Sequence, residues 1–345
     1  MLRVCIAGVM PSRRHDGGLF SESELPGDEA RAKAAGSKLP VRAFLLRKCA
    51  DWQWMKQVVG LVGWRDGPQQ RCCWKCSANC TDLQYWIAHA GAGWRPTMGQ
   101  ASSFLLTCAA PSAVWSWPGF DPSWFDIDLM HCGDLGVLLV TFGNILWEVV
   151  VHLGGTWKDM KTTTATILSM ISCAARELEM EQPIWNITRG MIRSTAGGAP
   201  RARIKAGEAR KLLPIIQHIL EHYLPHDSSH DVLRLQCIQA LSRVYHEVDN
   251  WGEGSGDRIG HHCRQFLVLY CRLRDTALSD VFWKLYPKFH IFIHCCENNV
   301  CPRHTWNYTD ESEIGFAAKT AEKLHPRTVS TEVIRKRRLA VYVSR

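Results

Sequence analysis

Apolar residues recur every three to four positions through most of the chain beyond Gly133. This spacing places them along one face of an α-helix, so it predicts a series of amphipathic helices. The predicted helices cover residues 133–153, 158–180, 207–224, 231–251, 259–273 and 278–296. Pro214 falls inside one of these runs, where we expect it to begin or kink a helix because proline has no amide hydrogen to donate.

The pattern before residue 133 is different. Residues 1–38 are rich in glycine, serine and charged residues and show little periodicity, which is typical of a disordered or loosely attached segment. Residues 41–46 and 124–130 each predict a short extended segment, and residues 60–79 are rich in turn-forming types. We therefore expect a region with short strands, followed by a large helical block.

Residues 135–153 are the best candidate for a membrane-spanning helix, although they are barely long enough. They include Asn144 and Glu148, and a carboxylate is costly to place in lipid, so a buried helix is the favoured interpretation. Residues 1–14 lack an apolar run of the length found in secretory signal peptides. Neither a membrane anchor nor secretion is expected.

The 345-residue chain carries 15 cysteines and a formal net charge of +8. An odd number of cysteines scattered through helical segments argues against a secreted disulfide scaffold and favours a reducing compartment. The positive charge favours anionic partners such as nucleic acid, but an excess of this size is a weak signal. The basic cluster at residues 335–338 is similar to a nuclear-localisation signal, so the expected location is the nucleus.

Cys73 and Cys76 form a CxxC motif, which is half of a zinc site because two thiolates at this spacing can face one tetrahedral ion. Local candidates for the other half are Cys80 and His89, and distant ones are His131, His290 and His294. Two of these, His290 and His294, are four residues apart and would share one face of a helix. The alternatives are free or buried thiols at the CxxC, and one capping and one buried histidine.

Acidic residues surround the second predicted extended segment. Asp126, Asp128 and Asp134 could hold a divalent ion, or Asp128 or Asp134 could instead cap the helix that follows. A second acidic group, which includes Glu311, opens another predicted helix. Acids in a first helical turn are ordinary partners of the helix dipole, but a glutamate there could also complete a two-metal site.

Residues 189–205 contain basic side chains and no acid, and their glycines and proline predict a flexible loop. The basic side chains are Arg189, Arg193, Arg201, Arg203 and Lys205. Contact with a DNA backbone and a solvated surface loop fit this pattern equally well.

The order of these motifs resembles the transposase domain of CACTA-type (En/Spm-like) DDE elements. The resemblance spans residues 40–325. In chain order it comprises Asp51, Cys73 with Cys76, the segment from Asp128 to His131, the helical block, His290 with His294, and Glu311. Each motif is weak alone, and their shared order makes the combination more specific.

The resemblance implies an α/β fold with an RNase H-like core, incomplete at the N-terminus and carrying a large all-helical insertion, so that the chain is helix-dominated overall. The implied divisions are a loose segment at 1–38, a partial core with the CxxC cluster at 39–132, the helical insertion at 133–280, a motif region returning to the core at 281–325, and a basic tail at 326–345.

The resemblance also implies DNA strand cleavage and transfer by two Mg²⁺ ions. It makes Asp51 and Glu311 catalytic acids, and Asp128 with His131 a signature that supports the fold or binds metal. The favoured interpretation is a truncated chain that lacks an earlier catalytic aspartate and is catalytically degraded. In the alternative, Asp51, Asp128 and Glu311 form the complete catalytic triad.

Two other functions fit the same residues. One is a non-enzymatic module, stabilised by Zn²⁺ at the cysteine–histidine site, that binds nucleic acid or protein. The other is a helical interaction scaffold unrelated to transposition, which rests on the helical block alone. DNA is the expected partner, no membrane is expected, and self-association is left open.

Overall fold

The computed structural model describes residues 72–99, 126–298 and 300–308, five isolated positions, and the backbone of short strands elsewhere. The isolated positions are Met55, Gly60, Phe316, Lys319 and Thr320.

The described strands are short. They are β1 (Arg3–Ile6), β2 (Met10–Pro11), β3 (Val41–Arg42), β4 (Leu45–Ala50) and β5 (Phe125–Ile127). β4 pairs antiparallel with β1 and parallel with β5, and β2 pairs antiparallel with β3. The register of β4 against β5 sets Ala50 opposite Ile127.

Helices make up most of the described chain. A π-helix, Met130–Leu138, runs directly into α1 (Leu139–His152). The remaining helices are α2 (Lys161–Glu177), α3 (Arg189–Ile192), α4 (Ala206–His222), α5 (Ser229–Asp249), α6 (Ser255–Thr276) and α7 (Pro287–Cys296). α5 and α6 form the most extensively packed pair.

The predicted RNase H-like fold is wrong: the described residues contain no RNase H-like β-sheet and are dominated by seven α-helices. The segment at 124–130 shows the physical reason. Only three of its residues are extended, because Oδ1 of Asp128 accepts the amide of Met130 at 2.9 Å and the chain turns into the π-helix. The core is then built mainly from helical side chains, joined by apolar residues of the segment 72–99.

The helix predictions hold for most of the helical block, with shifted ends. Pro214 lies inside α4, which continues past it without a break. The predicted helix at 278–296 is wrong over its first part, because α7 begins only at Pro287. Before it, Trp283 adopts a positive φ of 50° and donates its amide to Oδ1 of Asn144 at 2.8 Å. This contact with α1 prevents a continuous helix.

The helix Met130–His152 is long and apolar enough to cross a membrane by length and composition, and 78% of its most apolar window is buried inside the protein. Of its two carboxylates, Asp134 is completely buried, and Glu148 accepts hydrogen bonds from His230, Arg234 and Trp283. The same apolar character is found in the core helix of a soluble protein, and here the helix is surrounded by other elements of the chain.

Aromatic packing and one close backbone approach fix the position of α7. Phe289 stacks on Phe266 of α6, with 6.2 Å between ring centroids, and lies 4.5 Å from the ring of Tyr270. Nζ of Lys288 donates to the carbonyl of His131 in the π-helix at 3.0 Å. A Cβ at Gly136 would lie 2.9 Å from Cδ of Lys288, so glycine allows this approach. These contacts hold one face of α7 toward the segment 72–99.

Candidate metal centre

Four buried side chains from two distant parts of the chain meet at one point. The ligand atoms of Cys73, Cys76, His290 and His294 all lie within 4.8 Å of one another. Sγ of Cys76 is 3.2 Å from Nε2 of His290 and 3.3 Å from Nε2 of His294, and the two Nε2 atoms are 3.0 Å apart. Zinc bond lengths place tetrahedral ligand atoms about 3.3 to 3.8 Å apart, so the cluster is close to the size that one ion requires.

The two histidines lie one helical turn apart on α7, and their orientation is fixed by hydrogen bonding. Nδ1 of His290 is 3.0 Å from the carbonyl oxygen of Tyr85. A carbonyl only accepts, so Nδ1 carries the proton and Nε2 offers its lone pair to the cluster. A ligating histidine is commonly oriented by a carbonyl or carboxylate in this way.

The two cysteines lie in the segment 72–99, which has little regular secondary structure and is held by local hydrogen bonds. The amide of Lys75 donates to Sγ of Cys73 at 3.2 Å. Oδ1 of Asn79 accepts from the amides of Thr81 and Leu83, at 2.7 and 3.2 Å. These bonds close tight turns at Cys73 and just after Cys76, and both thiols are completely buried.

The ring of Trp94 covers the histidine side of the cluster. It is completely buried and meets His290 and His294 edge to face, with centroid distances of 4.6 and 5.2 Å. Its Nε1 donates to the carbonyl of Ile87 at 2.9 Å. The imidazoles therefore have one packing arrangement and no exposed edge on this side.

A second attachment joins the same two parts of the chain. Arg95 makes a two-point ion pair with Glu297, at 2.7 Å from NH1 and 2.9 Å from NH2. Arg264 of α6 donates to Glu297 as well, at 2.7 Å. Although burial opposes ionisation, these hydrogen bonds hold the pKa of Glu297 below its usual value. The segment 72–99 thus meets α7 at the four side chains of the cluster, and it meets the residue directly after α7 through an ion pair.

The electrostatics of the cluster favour one thiolate and neutral imidazole. Burial alone would raise the pKa of Cys73, but a hydrogen bond with Cys76 and the two imidazoles hold it well below its usual value. Burial, and then the neighbouring Cys73, raise the pKa of the Cys76 thiol. Burial lowers the pKa of His290. Ionising the second thiol is therefore costly unless a cation shares the site.

The arrangement can hold a structural metal such as Zn²⁺. Two thiolates and two imidazoles complete a tetrahedron, and closed sites of this composition are structural, whereas catalytic zinc keeps a position for water. All four residues are buried, so the chain itself shields the centre from solvent.

The other predicted metal ligands lie outside this cluster. His131 pairs through Nδ1 with Oδ2 of Asp128. Oδ1 of Asp128 accepts from the amides of Met130 and Asn307, at 2.9 and 3.1 Å. Asp128 therefore joins the start of the π-helix to the residues around 307. The local candidate His89 is exposed, and its Nδ1 accepts the amide of Gly91.

Two of the three predicted catalytic acids, Asp51 and Glu311, lie outside the described residues. Their distance from Asp128 is accordingly not part of the structure. Among the described residues, the quartet on α7 and the CxxC segment is the one group of three or more such side chains arranged to hold a metal.

The basic loop divides into two groups. Arg193 is buried between the rings of Trp147 and Phe282, 4.7 and 5.3 Å from their centroids. Arg189 lies over the ring of Trp157 at 5.0 Å. Arg193 thus has a structural role, whereas Arg189 keeps an exposed position above its ring.

The C-terminal half of the loop is more exposed. NH2 of Arg201 donates to the carbonyl of Leu135 in the π-helix at 2.9 Å. Arg203 and Lys205 are exposed, and the ammonium of Lys205 lies 3.9 Å from Glu208. The charges available to a partner are therefore mainly those of Arg189, Arg203 and Lys205.

Sequence reasoning identified all four members of the quartet but missed the residues that support it: Tyr85, Trp94, Arg95 and Glu297. One signal was present. Glu297 follows His290 by seven residues and His294 by three, which places all three on one face of a helix.

Comparison with protein-family models, curated proteins and solved structures finds no match for the chain.

Proposed function

We propose that this protein is a non-enzymatic, zinc-stabilised binding module, in which one Zn²⁺ fixes the segment 72–99 to α7. The buried quartet of Cys73, Cys76, His290 and His294 carries this proposal. Two thiolates and two imidazoles suit zinc better than magnesium or calcium, which prefer oxygen ligands. A closed site supplies folding free energy rather than a reactive position.

The partner we propose is nucleic acid, bound through the exposed basic side chains of the loop at 189–205. Arg189, Arg203 and Lys205 are exposed. The buried guanidinium of Arg193 anchors the loop, since its Nε donates to the carbonyl of Gly198 and its plane meets two aromatic rings. An anchored basic loop can contact phosphates without a large loss of backbone entropy.

DNA strand transfer at a two-metal site is not the function we propose. Asp128 already accepts hydrogen bonds from two backbone amides and pairs with His131, so few of its lone pairs are left for a metal ion. Descent from a CACTA-type transposase stays a proposal based on motif order alone.

Zinc content tests the proposal directly. The purified protein should contain one zinc per chain by elemental analysis, and the double variant Cys73→Ser/Cys76→Ser should contain none. Cys173→Ser is the matched control, because Cys173 lies on α2 outside the quartet. Zinc-free wild-type protein expressed with zinc supplied, or an unchanged zinc content in the double variant, would overturn the proposal.

A further inference from the structure

α7 presents three functional side chains to the segment 72–99 along one face. His290 and His294 point to the two cysteines, and Glu297, which directly follows the helix, reaches Arg95. The segment 72–99 contributes two thiols and one guanidinium to these contacts. The metal centre and the ion pair are therefore neighbouring parts of one contact between the same two pieces of chain.

Arg95 uses nearly all of its donors in this contact. Nε donates to the carbonyl of His89 at 2.9 Å, and NH2 donates to the carbonyl of Ala88 at 3.0 Å. NH1 and NH2 also hold the two oxygens of Glu297. Because the guanidinium is planar and its donors have fixed directions, these hydrogen bonds fix the position of the segment 88–95 relative to α7.

The guanidinium also touches the side chain that covers the metal ligands. Cζ of Arg95 lies 4.6 Å from the ring centroid of Trp94. The same ring meets both imidazoles edge to face. One aromatic ring therefore contacts both the guanidinium of Arg95 and the two imidazoles.

We propose that Arg95 is the positioning residue of the metal centre: by pairing with Glu297 and supporting Trp94, it holds both histidines in the geometry that the ion requires. This inference rests on the zinc binding proposed above. Residues that orient metal ligands commonly change metal affinity by about 10- to 100-fold when they are replaced. Arg95 is not one of the four candidate ligands, so its effect on affinity is indirect.

Arg264 provides a matched control within the same ion-pair group. It donates to Oε1 of Glu297 at 2.7 Å, as Arg95 does, but it comes from α6. The guanidinium of Arg95 lies over the ring of Trp94, which also meets both imidazoles. The contact of Arg264 is with Glu297. Replacing Arg264 removes one hydrogen bond to Glu297 and leaves the support of Trp94 in place.

The test measures zinc affinity by competition with a chromophoric chelator, for wild type, Arg95→Ala, Arg95→Lys and Arg264→Ala. We expect Arg95→Ala to weaken zinc binding by about 10- to 100-fold, in line with other orienting residues. Arg95→Lys should also weaken it, because lysine keeps the charge but loses the planar fork. Arg264→Ala should stay close to wild type.

Cobalt substitution adds a readout that a loss of overall stability would not move. The absorption bands of Co²⁺ bound to two thiolates and two imidazoles report the ligand geometry, and they should shift in Arg95→Ala but not in Arg264→Ala. Equal affinities and identical spectra for these two variants would overturn the inference. If Arg95→Ala does not fold, Arg95→Lys is compared with Arg264→Ala instead. Equal zinc affinities and identical cobalt spectra for that pair would likewise overturn the inference. A wild-type protein that binds no zinc overturns the proposed function instead.

Discussion

The hydroxyl of Tyr245 donates a 2.6 Å hydrogen bond to Oδ1 of Asp134, a carboxyl group with no solvent exposure. The hydroxyl of Tyr308 donates to Oδ2, also at 2.6 Å. A Cβ at Gly133 would lie 2.7 Å from the Tyr245 hydroxyl, so the glycine makes room for it. These bonds join α5, the π-helix and the residues around 308.

This carboxyl group makes the stability of the protein depend on pH. Burial raises the pKa of Asp134 to about 6, although both tyrosine hydroxyls and Arg210 oppose the shift. Its pKa in the unfolded chain is about 3.9, so the folded state binds the proton more tightly. The associated stability is present at low pH and is lost as the pH rises through about 6.

Asp134→Asn removes this titration while keeping a group that can accept and donate hydrogen bonds. Between pH 4 and pH 8, wild type should lose on the order of 3 kcal/mol relative to the variant. Urea unfolding of both proteins at several pH values measures this difference. Parallel stability curves for the two proteins would contradict the prediction.

Substitution of Glu148 should lower the free energy of unfolding more than most other single substitutions in the helices. Its carboxylate accepts from His230, Arg234 and Trp283 at 3.0, 2.9 and 2.6 Å. Glu148→Ala leaves a buried arginine and an indole nitrogen without this partner, and we expect a loss of about 3 kcal/mol in urea unfolding. Glu181→Ala is the control: it breaks an exposed pair with Lys211 and should leave the midpoint unchanged.

Gly143 lies where α1 crosses the end of the basic loop. A Cβ there would lie 2.4 Å from the backbone nitrogen and Cα of Arg201, and backbone cannot move aside as a flexible side chain can. Gly143→Ala should therefore cost at least about 2 kcal/mol of stability. At Gly190 a Cβ would meet nothing within 4 Å, so Gly190→Ala should be neutral or slightly stabilising. Equal effects at the two glycines would show that this close approach is absent in solution.

Removal of the metal should loosen one part of the protein and leave the rest ordered. The segment 72–99 has little regular secondary structure, and we expect its amides, such as Asn79 and Tyr85, to exchange faster after chelation. Amides of α5 and α6 should keep their protection. Hydrogen exchange followed by mass spectrometry, with and without chelator, measures both regions. Cys73→Ser/Cys76→Ser should not respond to chelator, and uniform deprotection of wild type would contradict a local role.

Nucleic-acid binding through the basic loop should depend on its exposed charges. Arg203→Ala/Lys205→Ala should weaken binding to a DNA duplex and reduce the slope of log affinity against log salt by about 0.9 for each lost phosphate contact. The control Arg243→Ala/Arg272→Ala removes the same charge from exposed positions on α5 and α6. Fluorescence anisotropy over a salt series compares them. An equal loss in both variants would show that net charge, and not the loop, governs binding.

The helices could be predicted because their apolar spacing is a local property of the sequence. The ends of the helices could not be predicted where a contact with a distant part of the chain determines them. The amide of Trp283 donates to Asn144, and α7 begins only at Pro287. No local pattern near residue 283 indicates this contact. The short strand at Phe125–Ile127 ends where Asp128 accepts the amide of Met130 and the chain turns into the π-helix. The sequence allows both helix capping and metal binding for this aspartate and does not decide between them.

The candidate site was found as two halves. The spacing within Cys73–Cys76 and within His290–His294 shows that each pair can share an ion, but spacing carries no information about which halves meet across 214 residues of chain. His131 fitted the pattern equally well, and its pairing with Asp128 depends on the local fold. Arg95 and Glu297 carry no motif, and only their contact in three dimensions identifies them.

The distance along the chain between Cys76 and His290 also sets the order of events during synthesis. His290 follows Cys76 by 214 positions, which take about 10 to 40 seconds to translate at about 5 to 20 residues per second. During that interval neither thiol can meet His290 or His294. The helices from α1 to α6 are made before α7 emerges, so the four side chains of the cluster can meet only after most of the helical block has been synthesised.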